Sequence, residues 1–254
     1  MEVNVSDKQI VLPGDQVGLK GGKNTISGAI YSEGDKIYAA AVSVINIKEL
    51  DSGEQEIQVI PLNGTYRPRV GDMVIGYVVD ITVTGWEIDI KSPYAAFLSI
   101  HEATLRQLDV TNVDLKTILK IGDVILAKII DVNLSRDYPV TLTLREARLG
   151  RIEDGGVVVE VDPTKVPRVI GKKGSMANMF REELGCDVTV GGQNGRVWIK
   201  CKNEEDESFV VHAVKKIEQE SHTSGLTDKM KAYVAEYKAS RGGKSTDQRD
   251  TGPA

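Results

Sequence analysis

The chain is short of the residue types from which catalytic and disulfide-rich proteins are built: 254 residues contain two cysteines and three histidines. Two cysteines are too few for a disulfide framework, and Cys186 and Cys201 have no metal-ligand types beside them. Both are expected to pack as small apolar residues at the ends of two strands. Hydrolysis of a phosphodiester needs clustered metal-binding carboxylates or a positioned acid and base. His101, His212 and His222 stand apart and no carboxylates cluster, so no catalytic centre, metal site or cofactor is expected. No segment nears the roughly 20 apolar residues that cross a bilayer. The N-terminus also lacks a basic region followed by an apolar run. An intracellular, cytoplasmic protein with no membrane association is expected.

What is present suits two or three domains, since 41% of the residues are hydrophobic, enough for a separate core in each. Residues 1–64 hold short β-like runs punctuated by Pro13-Gly14-Asp15, Gly21-Gly22, Gly34-Asp35 and Ser52-Gly53, the pattern of a small all-β module. With 5 basic and 9 acidic residues it is a poor binder of polyanions. Protein docking and plain solvation explain that charge equally well.

A partial internal repeat follows. Val70-Gly-Asp-Met-Val-Ile-Gly-Tyr-Val-Val-Asp80 matches Ile121-Gly-Asp-Val-Ile-Leu-Ala-Lys-Ile-Ile-Asp131, each a turn feeding a long strand. Asp72, Asp80, Asp123 and Asp131 occupy turn and strand-end positions there and read as structural. Residues 86–91 alternate, 95–100 form a short apolar strand, 102–119 are helical or irregular, and 139–144 close the set. Five strands with a longer crossing before the fourth fit a small Greek-key barrel. Over 65–150 the chain resembles the S1-type OB-fold, with Ala96-Phe-Leu-Ser-Ile-His-Glu102 similar to that family's segment after the third strand. Glu87 and Ser99 stand where the family commonly has a stacking aromatic and a histidine. Trp86 shares strand parity with Ile88 and Ile90, which leaves core-facing and exposed positions equally open, as for Tyr94 and Phe97. The loop between strands four and five offers a cation and a ring, Arg136 and Tyr138, as RNA-binding candidates.

The most informative segment is Gly171-Lys172-Lys173-Gly174. Two glycines let the backbone approach a phosphate and accept positive φ, and the following helix start supplies amide donors. Val157–161 reads as a strand, Pro163 and Pro167 bound a helical turn, and Ser175–184 reads as a helix capped by Ser175 and stopped by Gly185. Strands at 187–190 and 196–201 flank a Gly191–195 turn, and a helix covers 204–221. The order strand, helix, GKKG, helix, strand, strand, helix resembles the KH domain in its type I arrangement. Residues 163–181 carry Lys165, Arg168, Lys172, Lys173 and Arg181 with no acidic residue, so a phosphate meets no local repulsion. Gly171, Lys172, Lys173, Gly174, Arg168 and Arg181 are the RNA-binding candidates of this domain, over 151–223.

Residues 227–237 can form one more helix, and 240–254, polar and rich in small residues, are expected to be disordered within a C-terminal segment at 224–254. A β-module, an S1-type barrel and a KH domain in this order resemble the RNA-binding cap subunit of the archaeal RNA exosome, the family of ribosomal RNA-processing protein four. Val11-Leu-Pro-Gly-Asp15, Gly85-Trp-Glu-Ile-Asp-Ile-Lys-Ser-Pro-Tyr94 and Val169-Ile-Gly-Lys-Lys-Gly174 carry the match. The resemblance implies a non-catalytic protein that binds single-stranded RNA, rich in poly(A) by preference. Three copies would sit on a hexameric ring of RNase-PH-like subunits and pass RNA inward for 3′-to-5′ phosphorolysis. A second reading is an S1-KH factor regulating transcription or translation, and a third is a scaffold whose GKKG loop is structural.

Overall fold

The computed structural model describes residues 5–21, 24–49, 54–62, 64–104, 114–221, 223 and 225–242. The chain folds as two compact units, Met1–Thr65 and Tyr66–Ala254.

The first unit is all β: β1 (Ile10–Val11), β2 (Gln16–Leu19), β3 (Thr25–Gly28), β4 (Ile30–Glu33), β5 (Lys36–Ala39), β6 (Ser43–Glu49) and β7 (Gln55–Pro61). They form one sheet ordered β1-β6-β7-β3 and a second ordered β2-β5-β4. Val11, Val17, Ala39, Ile45, Ile57 and Val59 are the shared core. The side-chain period of two therefore sends Ile10, Val44 and Ile60, register partners across three strands, to the opposite face.

The second unit begins with the barrel: β8 (Met73–Ile81), β9 (Gly85–Asp89), β10 (Ala96–Ser99), the single turn α1 (Ile100–Ala103), β11 (Val124–Val132) and β12 (Val140–Thr143). A parallel β10–β12 pairing and an antiparallel β11–β12 pairing close five strands on themselves, the OB-type arrangement expected from the pattern. Half of the 102–119 stretch, residues 105–113, lies outside the described residues; α1 and a 3-10 turn at Leu115–Thr117 flank it. The internal repeat is structural. Gly71 and Gly122 take φ of 93° and 91°, and Asp72 and Asp123 accept from the backbone N–H of Arg69 and Lys120 at 3.1 and 2.8 Å. The same turn recurs at Gly14, where Asp15 accepts from the Leu12 N–H at 2.8 Å. Trp86 is fully buried and its indole donates to the Leu119 carbonyl at 3.1 Å, so the residue beside Glu87 is core rather than platform.

A short strand β13 (Gly150–Arg151) extends the barrel's β11 edge and leads into the KH elements: β14 (Val157–Glu160), α2 (Val166–Ile170), α3 (Ser175–Leu184), β15 (Asp187–Val190), β16 (Arg196–Lys200) and α4 (Glu204–Gln219). The sheet order is β14-β16-β15, antiparallel throughout, with the helices on one face over Val159, Val188, Val197 and Ile199. The last helix, α5 (Leu226–Gly242), docks Leu226, Met230 and Val234 into that core and stacks Tyr237 on Phe209 with ring centroids 3.8 Å apart. It continues through 240–242, where irregular chain was expected, because extending a docked helix costs little once its first turn is held. Residues 243–254 of the expected disordered tail lie outside the described residues.

The two cysteines do not pack as free thiols. Asp187 pairs with Lys200 in the hairpin register, so the next residues outward, Cys186 and Cys201, face each other with Cα atoms 4.2 Å apart and form a disulfide. The expectation failed because it treated each cysteine in its own strand and not the two strands in register.

Barrel and KH domain share one unit because the hairpin turn between β15 and β16 inserts against β8. Asn194, fully buried, donates from Nδ2 to the carbonyls of Ile75 and Ile90 at 2.7 and 3.1 Å and accepts from the Ile75 N–H at 3.3 Å. A Cβ on Gly191 would lie 2.2 Å from Ile75, so only glycine permits this approach. Arg196, 3% exposed, donates to the Asp89 carbonyl at 2.6 Å, to Asp89 Oδ2 at 2.5 Å and to Glu160 at 3.2 Å, and lies over the Tyr77 ring. Burial raises the Asp89 and Glu160 carboxyls, yet Arg196 and Lys91 outweigh it and hold both below their ordinary values. Ile75, Leu126 and Trp198 form a small apolar core beside this lock.

Asn194→Ala strands two carbonyls and one N–H at the junction. It is expected to lower unfolding stability by about 3 kcal/mol in urea titration of the full chain; a change within error would show that water replaces all three bonds. Reducing the disulfide, which closes a separation of 15 residues, should cost up to about 3 kcal/mol. Equal urea midpoints with and without reductant would mean that the bond does not constrain the unfolded chain.

Candidate nucleic-acid interface

The GKKG loop is a tight bridge between α2 and α3. Gly171 ends α2 with φ 74° and ψ 171°, a Lys173 in left-handed conformation follows (φ 56°), and Gly174 takes φ 78°. A Cβ on Gly171 would stand 2.8 Å from the Met176 nitrogen, so space as well as φ demands glycine there. At Gly174 the nearest atom is 3.7 Å away and only φ does. Lys173 bears a cost of roughly 1 kcal/mol for its backbone. Beneath the loop Val166, Val169, Met176, Met179 and Phe180 are buried, which fixes both helix ends on the core. The ten-residue α3 starts without a side-chain cap and with no acidic residue in its first turn, the polarity that favours an anion.

The candidate cations divide by their partners. Arg168, Lys172 and Lys173 are exposed and Lys165 half-buried, and no carboxylate among the described residues pairs with any of them. Arg181 is exposed but joined to Asp187 at 3.1 Å. Arg136 is joined to Asp131 at 2.7 Å. Exposed pairs of this kind are worth at most about 1 kcal/mol, so both arginines can be released to a phosphate at small cost. The four unpaired cations need no release.

On the barrel, Glu87 and Phe97 are opposite one another on the outer face of β9 and β10. The loop after β11 folds across them: Tyr138 sets its ring 5.0 Å from that of Phe97 and its hydroxyl donates to Glu87 at 3.4 Å. Burial first, then the charge of Glu87, pushes the Tyr138 phenol up, so it stays a neutral donor. Arg136 and Tyr138 are thus on one loop, but the face they border also carries Asp80, Glu87 and Asp137. His212 is exposed on α4 with Nδ1 2.7 Å from the Ser208 carbonyl oxygen, a local helix contact. The chemistry available is therefore electrostatic capture at the KH loop and stacking or hydrogen bonding beside the barrel. Sequence reasoning missed Gln193–196 as the connector of the two domains. Its signal was the pair of glycines before a polar pair, in a hairpin longer than a two-residue turn requires.

Residues 65–131 match the family model for the Rrp4 S1 domain, and residues 156–205 match a KH domain model. The exosome complex component Rrp4 of Pyrobaculum aerophilum is 45% identical over 93% of this chain and 97% of its own length. That of Thermofilum pendens is 44% identical over 92% and 95%. A crystal structure described as an exosome complex RNA-binding protein superposes with a TM-score of 0.62 at 38% identity, covering 70% of this chain and 99% of that one. With two domain models in the expected order and this identity over more than nine-tenths of the chain, the chain belongs to the Rrp4 family of exosome complex components.

Proposed function

We propose that this protein is a non-catalytic, cytoplasmic RNA-binding subunit that caps an exosome ring of RNase-PH-like subunits and feeds single-stranded RNA to it for 3′-to-5′ phosphorolysis. The observation that carries the reading is the set of unpaired cations around a glycine-bounded loop whose backbone is held open by the core below. Lys172, Lys173 and Arg168 give sequence-independent attraction to the phosphates. Arg181, Arg136 and Tyr138 are secondary contacts, since each must first leave a protein partner. A net charge of −5 does not oppose this, because attraction is set by the local patch and three weak sites on one strand act together. A preference for adenine-rich strands enters through the family alone.

The acidic first unit supplies the attachment to the ring. Ile10, 62% exposed, lies with Val44 and Ile60 on the outer face of β1, β6 and β7, and Leu12 and Val42, 57% and 43% exposed, adjoin the ends of β1 and β6. An aliphatic face of this kind on a small β-module marks a protein contact.

Lys172→Asp with Lys173→Asp is expected to weaken single-stranded RNA binding at least tenfold in fluorescence anisotropy. It should also flatten the salt dependence of log K by about 1.4, the share of two cations on a single strand. Unchanged affinity and slope would remove the loop from the interface. Ile10→Lys with Ile60→Lys should abolish co-elution with the ring subunits while leaving RNA affinity intact; co-elution at wild-type level would place the attachment elsewhere.

A further inference from the structure

The KH sheet has a second face, turned away from its helices, and a cleft of about 350 Å³ opens where this face meets the barrel. Thr189 and Trp198 are register partners and project from that face, because their neighbours Val188, Val197 and Ile199 point into the helical core. Trp198 and Leu126, 6% and 8% exposed, make the floor; Leu149 flanks them, and Arg148 and Thr189 reach the rim.

Three polar groups in this cleft have no protein partner among the described residues: the Trp198 indole N–H, the Thr189 hydroxyl and the Arg148 guanidinium. Every other charged side chain of the lining is engaged, Asp187 by Arg181, Arg151 by Asp123 and Asp154, and Glu153 by Lys200. Arg148 also holds a φ of 73°, which non-glycine residues seldom adopt outside functional sites and tight turns. The Trp198 ring is nine-tenths buried, but no buried side-chain polar atom among the described residues lacks a partner, so its N–H reaches solvent and can exchange water for a ligand acceptor. The cleft thus offers an indole donor, a hydroxyl, an apolar surface and one exposed guanidinium to a ligand.

We propose that this cleft takes one nucleotide of a bound RNA strand. A base carbonyl or ring nitrogen accepts from the Trp198 N–H, the Thr189 hydroxyl meets a second position on the base edge, and Arg148 holds a phosphate. The volume suits a single base and its ribose. The site is physically continuous with the GKKG loop: α3, about 15 Å long, begins at that loop, and Arg181 in its last turn pairs with Asp187 at the cleft. A strand held at the loop would follow α3, cross the free edge of β15 and place a base on the far face. The inference rests on the RNA-binding reading above.

The test uses the full chain and a 4-thiouridine-containing single-stranded RNA. Photo-cross-links are expected in the peptides covering 148–153 and 187–198 as well as at the loop. Arg148→Gln should weaken binding about fivefold and reduce the salt slope by about 0.7. Thr189→Val, which keeps shape and removes the hydroxyl, and Trp198→Phe, which removes the indole N–H together with ring volume, should each lower the cleft cross-link selectively. Cross-links confined to the loop, with affinity unaffected by all three substitutions, would overturn the cleft and leave RNA binding by the chain standing. Absence of RNA binding altogether would overturn both.

Discussion

Everything that positions the interface depends on one buried contact, the insertion of Asn194 and Arg196 against the outer surface of the barrel. Asn194 supplies the hydrogen bonds that the β8 backbone needs once it is covered, and Arg196 brings a charge out of water only because Asp89, Glu160 and a carbonyl surround it. A buried arginine without those partners would be costly, so the arrangement holds as a set or not at all. The outcome is that S1 and KH elements form one compact unit and present their surfaces in a fixed relation.

The charges are arranged by subtraction. The unit carries cations and carboxylates in similar number, and Lys128, Arg136 and Arg145 on the barrel are neutralised locally in exposed pairs. Around the KH loop Lys165, Arg168, Lys172 and Lys173 stay unpaired, on a stretch from which acidic residues are missing. Such a surface attracts phosphates at short range without making the protein a general polyanion binder.

The disulfide and the three Gly-Asp turns show how far local reading goes. At Gly14, Gly71 and Gly122 the turn is written in four consecutive residues, and its geometry recurs in both units. The pairing of Cys186 with Cys201 was also within reach, since the two are equidistant from the centre of the hairpin, but only once the strands are set in register. Alternation put Trp86, Ile88 and Ile90 on one face but left open whether that face is covered, because parity gives a face and not its environment. Its hydrogen bond to Leu119, distant in sequence, settles the matter.

The order of elements, the five-stranded barrel, the KH arrangement and the loop bounded by Gly171 and Gly174 were legible in the chain itself, because each follows from period, turn chemistry and spacing within a short window. Tertiary structure alone decided which cations remain free, that Arg136 and Arg181 are already paired, and that the KH sheet's outer face meets the barrel around a cleft. Those properties belong to pairs of residues tens of positions apart, and the energy of a charge or a buried donor is fixed by what folding brings beside it, which no local pattern records.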